Sequence, residues 1–260
     1  MKKLDLVNPF GAPVYHMDTV SSTMDVSRKL AADGAAHGTV ITVDYQEAGR
    51  GRGSDLGKNR TWEIQSGLNL PFTILLRFSC IEHITTAFTL RAGLAVSLAI
   101  EDFMPSLQGL VFVKWTNDVI INNKKVSGIL CEAESGNVHL GIGINVSQKE
   151  FPDPLCKKAT SLALAAQEEI DPKKRFDLLK KTLARLYEEL ETEAGNSWKQ
   201  RLEQRLYKKG EQILFAEGSV GCTKEIKGTL SGIGDGGELI ILPKGENNAL
   251  SLISGEIILS

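Results

Sequence analysis

The sequence predicts an α+β chain in which short strands and amphipathic helices share one sheet, followed by a small all-β unit. Three observations carry this expectation. Apolar residues at Phe88, Ala92, Ala95, Val96, Ala99 and Phe103 keep helical spacing, and Phe176, Leu179, Leu183, Leu186 and Leu190 repeat it further on. Between these stretches lie the apolar runs LVFV, VII, VSGILCE and VHLGIGINV, each broken by Asn, Lys or Gly and too short for a helix, so they read as adjacent strands. From Gly210 onward the pattern changes to alternating residues punctuated by glycine.

Taken in order, residues 22–32 open with Ser-Thr and carry Asp25 three positions after Ser22, close to a capping box, which predicts a short helix. TVITVD, residues 39–44, is β-branched and reads as a strand running into a glycine-arginine loop; LPFTILL supplies the next strand. Residues 85–103 form the clearest helix of the first half, with one buried stripe, and residues 173–193 form the second, followed by a shorter helix near 198–206. EQILFA, KEIKGTLSGI, GELIILP, ALSLI and GEIILS then give about five short strands, expected to close a small barrel that packs on the main domain because so few residues bury little core alone. The expected division is 1–208 and 209–260.

Composition narrows the function. Thirty basic residues against thirty-two acidic ones leave no global cationic field, so nucleic acid is not an expected partner, and any cationic site must be local. The four cysteines, Cys80, Cys131, Cys156 and Cys222, form no CxxC pair, which argues against a zinc cluster and a disulfide framework. A reducing cytoplasm is the expected location. No apolar run has the length to span a bilayer, so a membrane partner is not expected.

Glycine-rich stretches invite nucleotide motifs, and two fail here. Ser54 breaks the dinucleotide pattern begun at Gly49 and Gly51, while Arg52 and Asn59 stand where a Walker loop before Gly57-Lys58 needs glycine and a hydroxyl. A formal GxGxxG at Gly232, Gly234 and Gly237 has no helix after it and reads as turns. What remains is EAGRGR, whose alternation lets backbone approach a ligand closely while guanidinium forks reach a phosphate or carboxylate. Three further interruptions accompany it: VKWTND, NNKKVSGILCE with Gly128 inside a strand, and GIGINV with two glycines and polar Asn145.

The combination of SST near the start, DYQEAGRGR followed by a tryptophan, KWTND, KKVSGILCE, GIGINV and a terminal LISGEI resembles the biotin protein ligase family over nearly the whole chain. The resemblance implies a mixed sheet flanked by helices, related to class II aminoacyl-tRNA synthetases and lipoate ligases, with a C-terminal SH3-like β-barrel. With SST beginning at Ser21, it also implies the form lacking an N-terminal DNA-binding domain. The implied activity uses ATP and Mg2+ to make biotinyl-5'-AMP, then passes biotin to a lysine of a biotin carboxyl carrier protein domain; a homodimer is the implied assembly. A lipoate or octanoate ligase on the same scaffold and a non-catalytic biotin-binding module are the alternatives.

Carried residue by residue, the resemblance gives Ser22, Thr23, Gln46, Gly49, Arg50, Gly51, Lys125 and Gly128 to biotin. It gives Arg52, Trp62, Asn117, Asp118 and Asn145 to ATP, with Asp118 as the magnesium contact. Arg52, Lys114 and Lys125 are the implied catalytic cations. Cys131 reads as a buried strand cysteine. Three departures stand out: Thr116 where the family usually has proline, Met24 where it usually has asparagine, and a longer stretch between Arg52 and Trp62.

Overall fold

A computed structural model describes residues 1–51, 62, 65–79, 86–217 and 224–258. Its larger sheet has eight strands: β1 (Lys2–Lys3), β2 (Val14–Val20), β3 (Thr39–Gln46), β4 (Leu70–Arg77), β5 (Phe112–Lys114), β6 (Asp118–Ile121), β7 (Lys124–Glu134) and β8 (Asn137–Ile144). They lie in the order β1-β2-β3-β4-β8-β7-β6-β5. Among these described strands only β2 and β3 pair in parallel; the other pairs of the sheet are antiparallel, as short connections between successive strands allow.

The two faces of the sheet differ. One face sends Phe72, Ile74, Leu76, Leu140, Ile142 and Ile144 into the main core beneath α2 (Thr86–Phe103) and α4 (Arg175–Glu191), the helices the apolar spacing predicts. Each such side chain contributes about 1.5–3 kcal/mol on burial. The other face is sparse, because Pro71, Gly143, Gly128 and Asp118 stand in one cross-strand row and Thr73, Gly141 and Leu130 in the next. Onto this face packs α1 (Thr23–Ala32). Its Thr23 hydroxyl accepts from the Thr73 hydroxyl at 2.8 Å, and Ser27 meets His139 Nδ1 at 2.7 Å.

Ser22 caps α1 as expected, accepting from the Met24 amide at 3.3 Å. The capping box does not form in the same way. Asp25 has a shorter reach than the usual Glu and is drawn instead to Arg28, Arg50 and the Ser21 hydroxyl.

A second correction concerns α2, expected to bury a single stripe. Phe88, Ala92, Val96 and Ile100 face the main core, but Leu90 and Leu94 enter a second core with Val113, Trp115, Leu202 and Leu206. That core continues into the five-stranded antiparallel sheet β12-β11-β10-β9-β13, formed by β9 (Gln212–Glu217), β10 (Lys224–Ile233), β11 (Leu239–Pro243), β12 (Leu250–Leu252) and β13 (Glu256–Ile257). The small sheet is therefore completed by a helix face of the large domain. Trp115 Nε1 donates to the Gly237 carbonyl at 2.8 Å, and the Ala87 amide donates to Gly236 at 3.1 Å. Gly237 has φ of +89°, and a Cβ there would lie 2.2 Å from the Ala87 nitrogen. The GxGxxG run thus serves a docking turn. Two short helices, α3 (Leu162–Ala166) and α5 (Trp198–Glu203), complete the fold. Among the described residues, no helix is long and apolar enough to cross a membrane.

Replacing Leu94 by Ala is expected to cost about 2–5 kcal/mol, and both sheets should lose structure in one coincident denaturant transition. Two separated transitions would show that the second core does not join them. A pH effect follows from His139, whose pKa burial and then the Arg28 charge push below its ordinary 6.5. Folding favours the neutral ring, so its contribution is present above the unfolded value of about 6.5 and is lost as pH falls toward the lower folded value. His139→Gln should flatten that loss, read as a wild-type-minus-variant stability difference shrinking between about pH 7 and pH 5.

Candidate active site

The sparse face and the end of the β5-β6 hairpin enclose two adjoining cavities. Gly51, Trp62, Asn117 and Lys125 border both. The smaller, of about 50 Å³, lies between the first turn of α1, Gln46 and the glycine rows of β7 and β8. Its polar end is fixed by a chain of hydrogen bonds. Thr73 donates to Thr23, whose hydroxyl and amide donate to Gln46 Oε1 at 3.0 and 2.8 Å. With its oxygen so occupied, Gln46 keeps its amide nitrogen as a donor. Ser22 accepts from Met24 and likewise keeps its hydroxyl proton to give.

Trp62 covers the glycines. A Cβ on Gly143 would meet its indole at 2.5 Å and one on Gly128 would meet it at 3.0 Å, so the ring lies directly on bare backbone. Its Nε1 is buried without a partner among the described residues. The Trp62 amide donates to the Gly49 carbonyl at 2.9 Å, which closes the base of the glycine-arginine loop.

Lys125 reaches this face because β7 is irregular. Val119 pairs with Ser127 but Ile120 with Lys125, so the extra residue Val126 turns into the main core and Lys125 turns to the cavity side. Its ammonium lies 2.6 Å from Asp118 Oδ1 and 5.4 Å from the Trp62 ring centroid. Two attractions therefore aim one cation at the junction of the cavities.

The larger cavity, about 390 Å³, is bordered by Lys114, Trp115, Thr116, Asp118, Asn145 and the 151–159 segment, with Gly255 and Glu256 arriving from the small sheet. Lys114 is 3% exposed, with its Nζ 3.8 Å from Glu256 Oε1. Asn145 donates through Nδ2 to the Thr160 carbonyl at 2.9 Å, while its buried Oδ1 has no partner among the described residues. Asn117 is occupied structurally: its Nδ2 donates to the Ile129 carbonyl at 2.8 Å and its carbonyl accepts from the Ile129 amide at 2.9 Å, pinning the hairpin to β7.

Of the residues expected from sequence, Ser22, Thr23, Gln46, Arg50, Gly51, Trp62, Asn117, Lys125 and Gly128 border the smaller cavity, and Lys114, Asp118 and Asn145 border the larger. Gly49 sits behind them at the loop base. Arg50 points its guanidinium to Asp25 and Glu132. Arg52 lies outside the described residues. Asp118, expected at magnesium, is paired with Lys125, and among the described residues no three His, Cys, Asp or Glu gather to hold a metal. Cys131 is no nucleophile at neutral pH, since burial pushes its pKa up to about 12.

The glycines of GIGINV were marked in sequence without a role, and Met24, Phe151, Leu155 and Glu256 were not among the expected site residues. Met24 signalled itself only as a departure; its sulfur would meet a Cβ on Gly141 at 3.2 Å. Glu256 stood within the LISGEI motif, but no role followed from it because that role depends on how the small sheet docks.

Comparison with known proteins fits this geometry. The chain is similar to the biotin protein ligase of Aquifex aeolicus in complex with biotin and ATP, 28% identical with a TM-score of 0.72 over 94% of this chain and 97% of that one. A biotin-bound point mutant of the same organism's ligase gives 29% identity and a TM-score of 0.75, over 96% and 99% of the two chains. In sequence, the "Bifunctional ligase/repressor BirA" of Bacillus subtilis is 41% identical over 165 residues, covering 61% of this chain and 48% of the relative. The chain thus spans about half the length of the first curated relatives it matches. The "Biotin--[acetyl-CoA-carboxylase] ligase" of Paracoccus denitrificans is 29% identical over 244 residues, 85% of this chain and 90% of that one. Residues 17–148, just over half of the chain and the part that holds the whole lining of the smaller cavity and most of that of the larger, match the family described as "Biotin/lipoate A/B protein ligase family", and the chain belongs to it.

Proposed function

We propose that this protein is an ATP-dependent biotin–protein ligase. The observation that carries the reading is Lys125, aimed at the junction of a small cavity with fixed donors and a larger cavity that also holds Lys114 and Asn145. A small acid in the first and a nucleotide in the second would meet beside one ammonium. Ser22 and Gln46 suit a neutral polar ring that needs donors, and the Trp62 indole that covers the glycines offers a flat apolar wall beside it. Asn145, with a side-chain oxygen left as an acceptor, suits the amino edge of adenine.

In the first half-reaction the acid's carboxylate oxygen attacks the α-phosphorus of ATP and pyrophosphate leaves. In the second, a lysine amine of a biotin carboxyl carrier protein takes the acyl group and AMP departs. Neither step needs an enzyme nucleophile, so positioning and charge stabilisation are the protein's contribution. Lys125 would neutralise the carboxylate or the phosphate, and Lys114 the phosphates further along. Arg52 is the remaining guanidinium we assign to the phosphate. Mg2+ would travel with the ATP phosphates, since Asp118 pairs through Oδ1 with Lys125 and the described residues do not gather a cage for the ion. We place this activity in the cytoplasm.

The test is ATP–pyrophosphate exchange with biotin, lipoate and octanoate as competing acids. Exchange should require biotin, because buried donors reject an acid that cannot pair them by several orders of magnitude. Equal use of lipoate would overturn the reading. Lys125→Met removes a charge-assisted contact of about 1.5–3 kcal/mol, so kcat/KM for biotin should fall about 10- to 150-fold. A change under twofold in that steady-state ratio would remove Lys125 from its role.

A further inference from the structure

We infer that Asp25 and Glu132 are positioning residues, which hold the Gly49–Gly51 backbone over the smaller cavity by gripping Arg50. The inference rests on that cavity being the acid site. Arg50 comes shortly after β3, which ends at Gln46, and its neighbours Gly49 and Gly51 supply close approach without stiffness. Its guanidinium turns to α1, where it pairs with Asp25, and to β7, where Nη1 lies 3.5 Å from Glu132 Oε2. These are the two elements that bring Thr23 and Gly128 to the same cavity. The ion pairs therefore span the mouth and tie the loop to both walls. Arg28 shares the carboxylates, lying 3.4 Å from Asp25 Oδ1 and also pairing with Glu132, so two cations and two acids form one rim cluster, with Glu134 at its edge 3.4 Å from Arg28 Nε. With its charge engaged there, Arg50 acts through the loop backbone. All four groups are partly exposed, which makes the grip sensitive to salt.

The double variant Asp25→Asn/Glu132→Gln tests this in two ways. Hydrogen exchange of the ligand-free protein should quicken about five- to tenfold at residues 48–51 and at the Trp62 amide, while the β8 amides stay protected. Biotin affinity by calorimetry should weaken by a similar factor, kcat at saturating biotin should stay within about twofold, and the loss of loop protection that added salt causes in the wild type should be absent from the variant. Arg28→Met, which removes the competing cation and leaves both carboxylates to Arg50, should keep wild-type protection of the loop. Unchanged exchange in the double variant overturns the inference, as does a fall in kcat at saturating biotin, which would put the acids at the reacting atoms. If the wild-type protein binds no biotin, the ligase reading fails, and the exchange data still decide whether the rim cluster holds the loop.

Discussion

Gly128 and Gly143 face each other across β7 and β8, and the indole of Trp62 lies where a side chain on either would have to go. The rest of the site follows from that bare patch. Because the backbone is uncovered there, α1 can set its first turn beside it, and Thr23, Thr73 and Gln46 can run a hydrogen-bond chain along its edge. Because strands supply the floor, the glycines have sheet pairing on both sides to offset their conformational freedom. A floor of this kind is rigid and thin at once, a combination that a loop cannot offer.

Charge is handled with similar economy. Lys125 and Lys114 are held toward the cavities in partly or wholly buried positions, where an unpaired ammonium would be costly, and each has a carboxylate near it: Asp118 at 2.6 Å and Glu256 at 3.8 Å. An incoming anion therefore finds cations already oriented and already desolvated. Its gain is the difference between two pairings, which favours phosphate or carboxylate groups that bring more acceptor atoms than the resident acid. Glu256 matters doubly, since it belongs to the small sheet and makes that unit part of the wall.

The elements could be read from sequence because their periodicities are local. α4 follows the apolar spacing, β3 follows its β-branched run, and the five strands after Gly210 follow alternation and glycine punctuation. What escaped depends on contacts between distant parts. The second buried side of α2 could not be separated from its first, because Leu90 and Leu94 are as apolar as the residues that face the main core. Asp25 has the position of a capping residue, and only the arrival of Arg50 and Arg28 decides otherwise. The bulge that turns Lys125 into the site is invisible in KKVSG, since nothing in those five letters marks the register shift that breaks the alternation of β7. Motif residues marked the location of the site well and its pairings poorly.

Trp115 walls the larger cavity, fills the second core and donates its indole proton to Gly237 in the small sheet. The small sheet is consequently no exchangeable module. To graft it onto another member of the family, Leu90, Leu94, Val113 and Trp115 would have to travel with it, and two of these flank a cavity lysine in sequence. Divergence in one unit is thus constrained by the packing surface of the other.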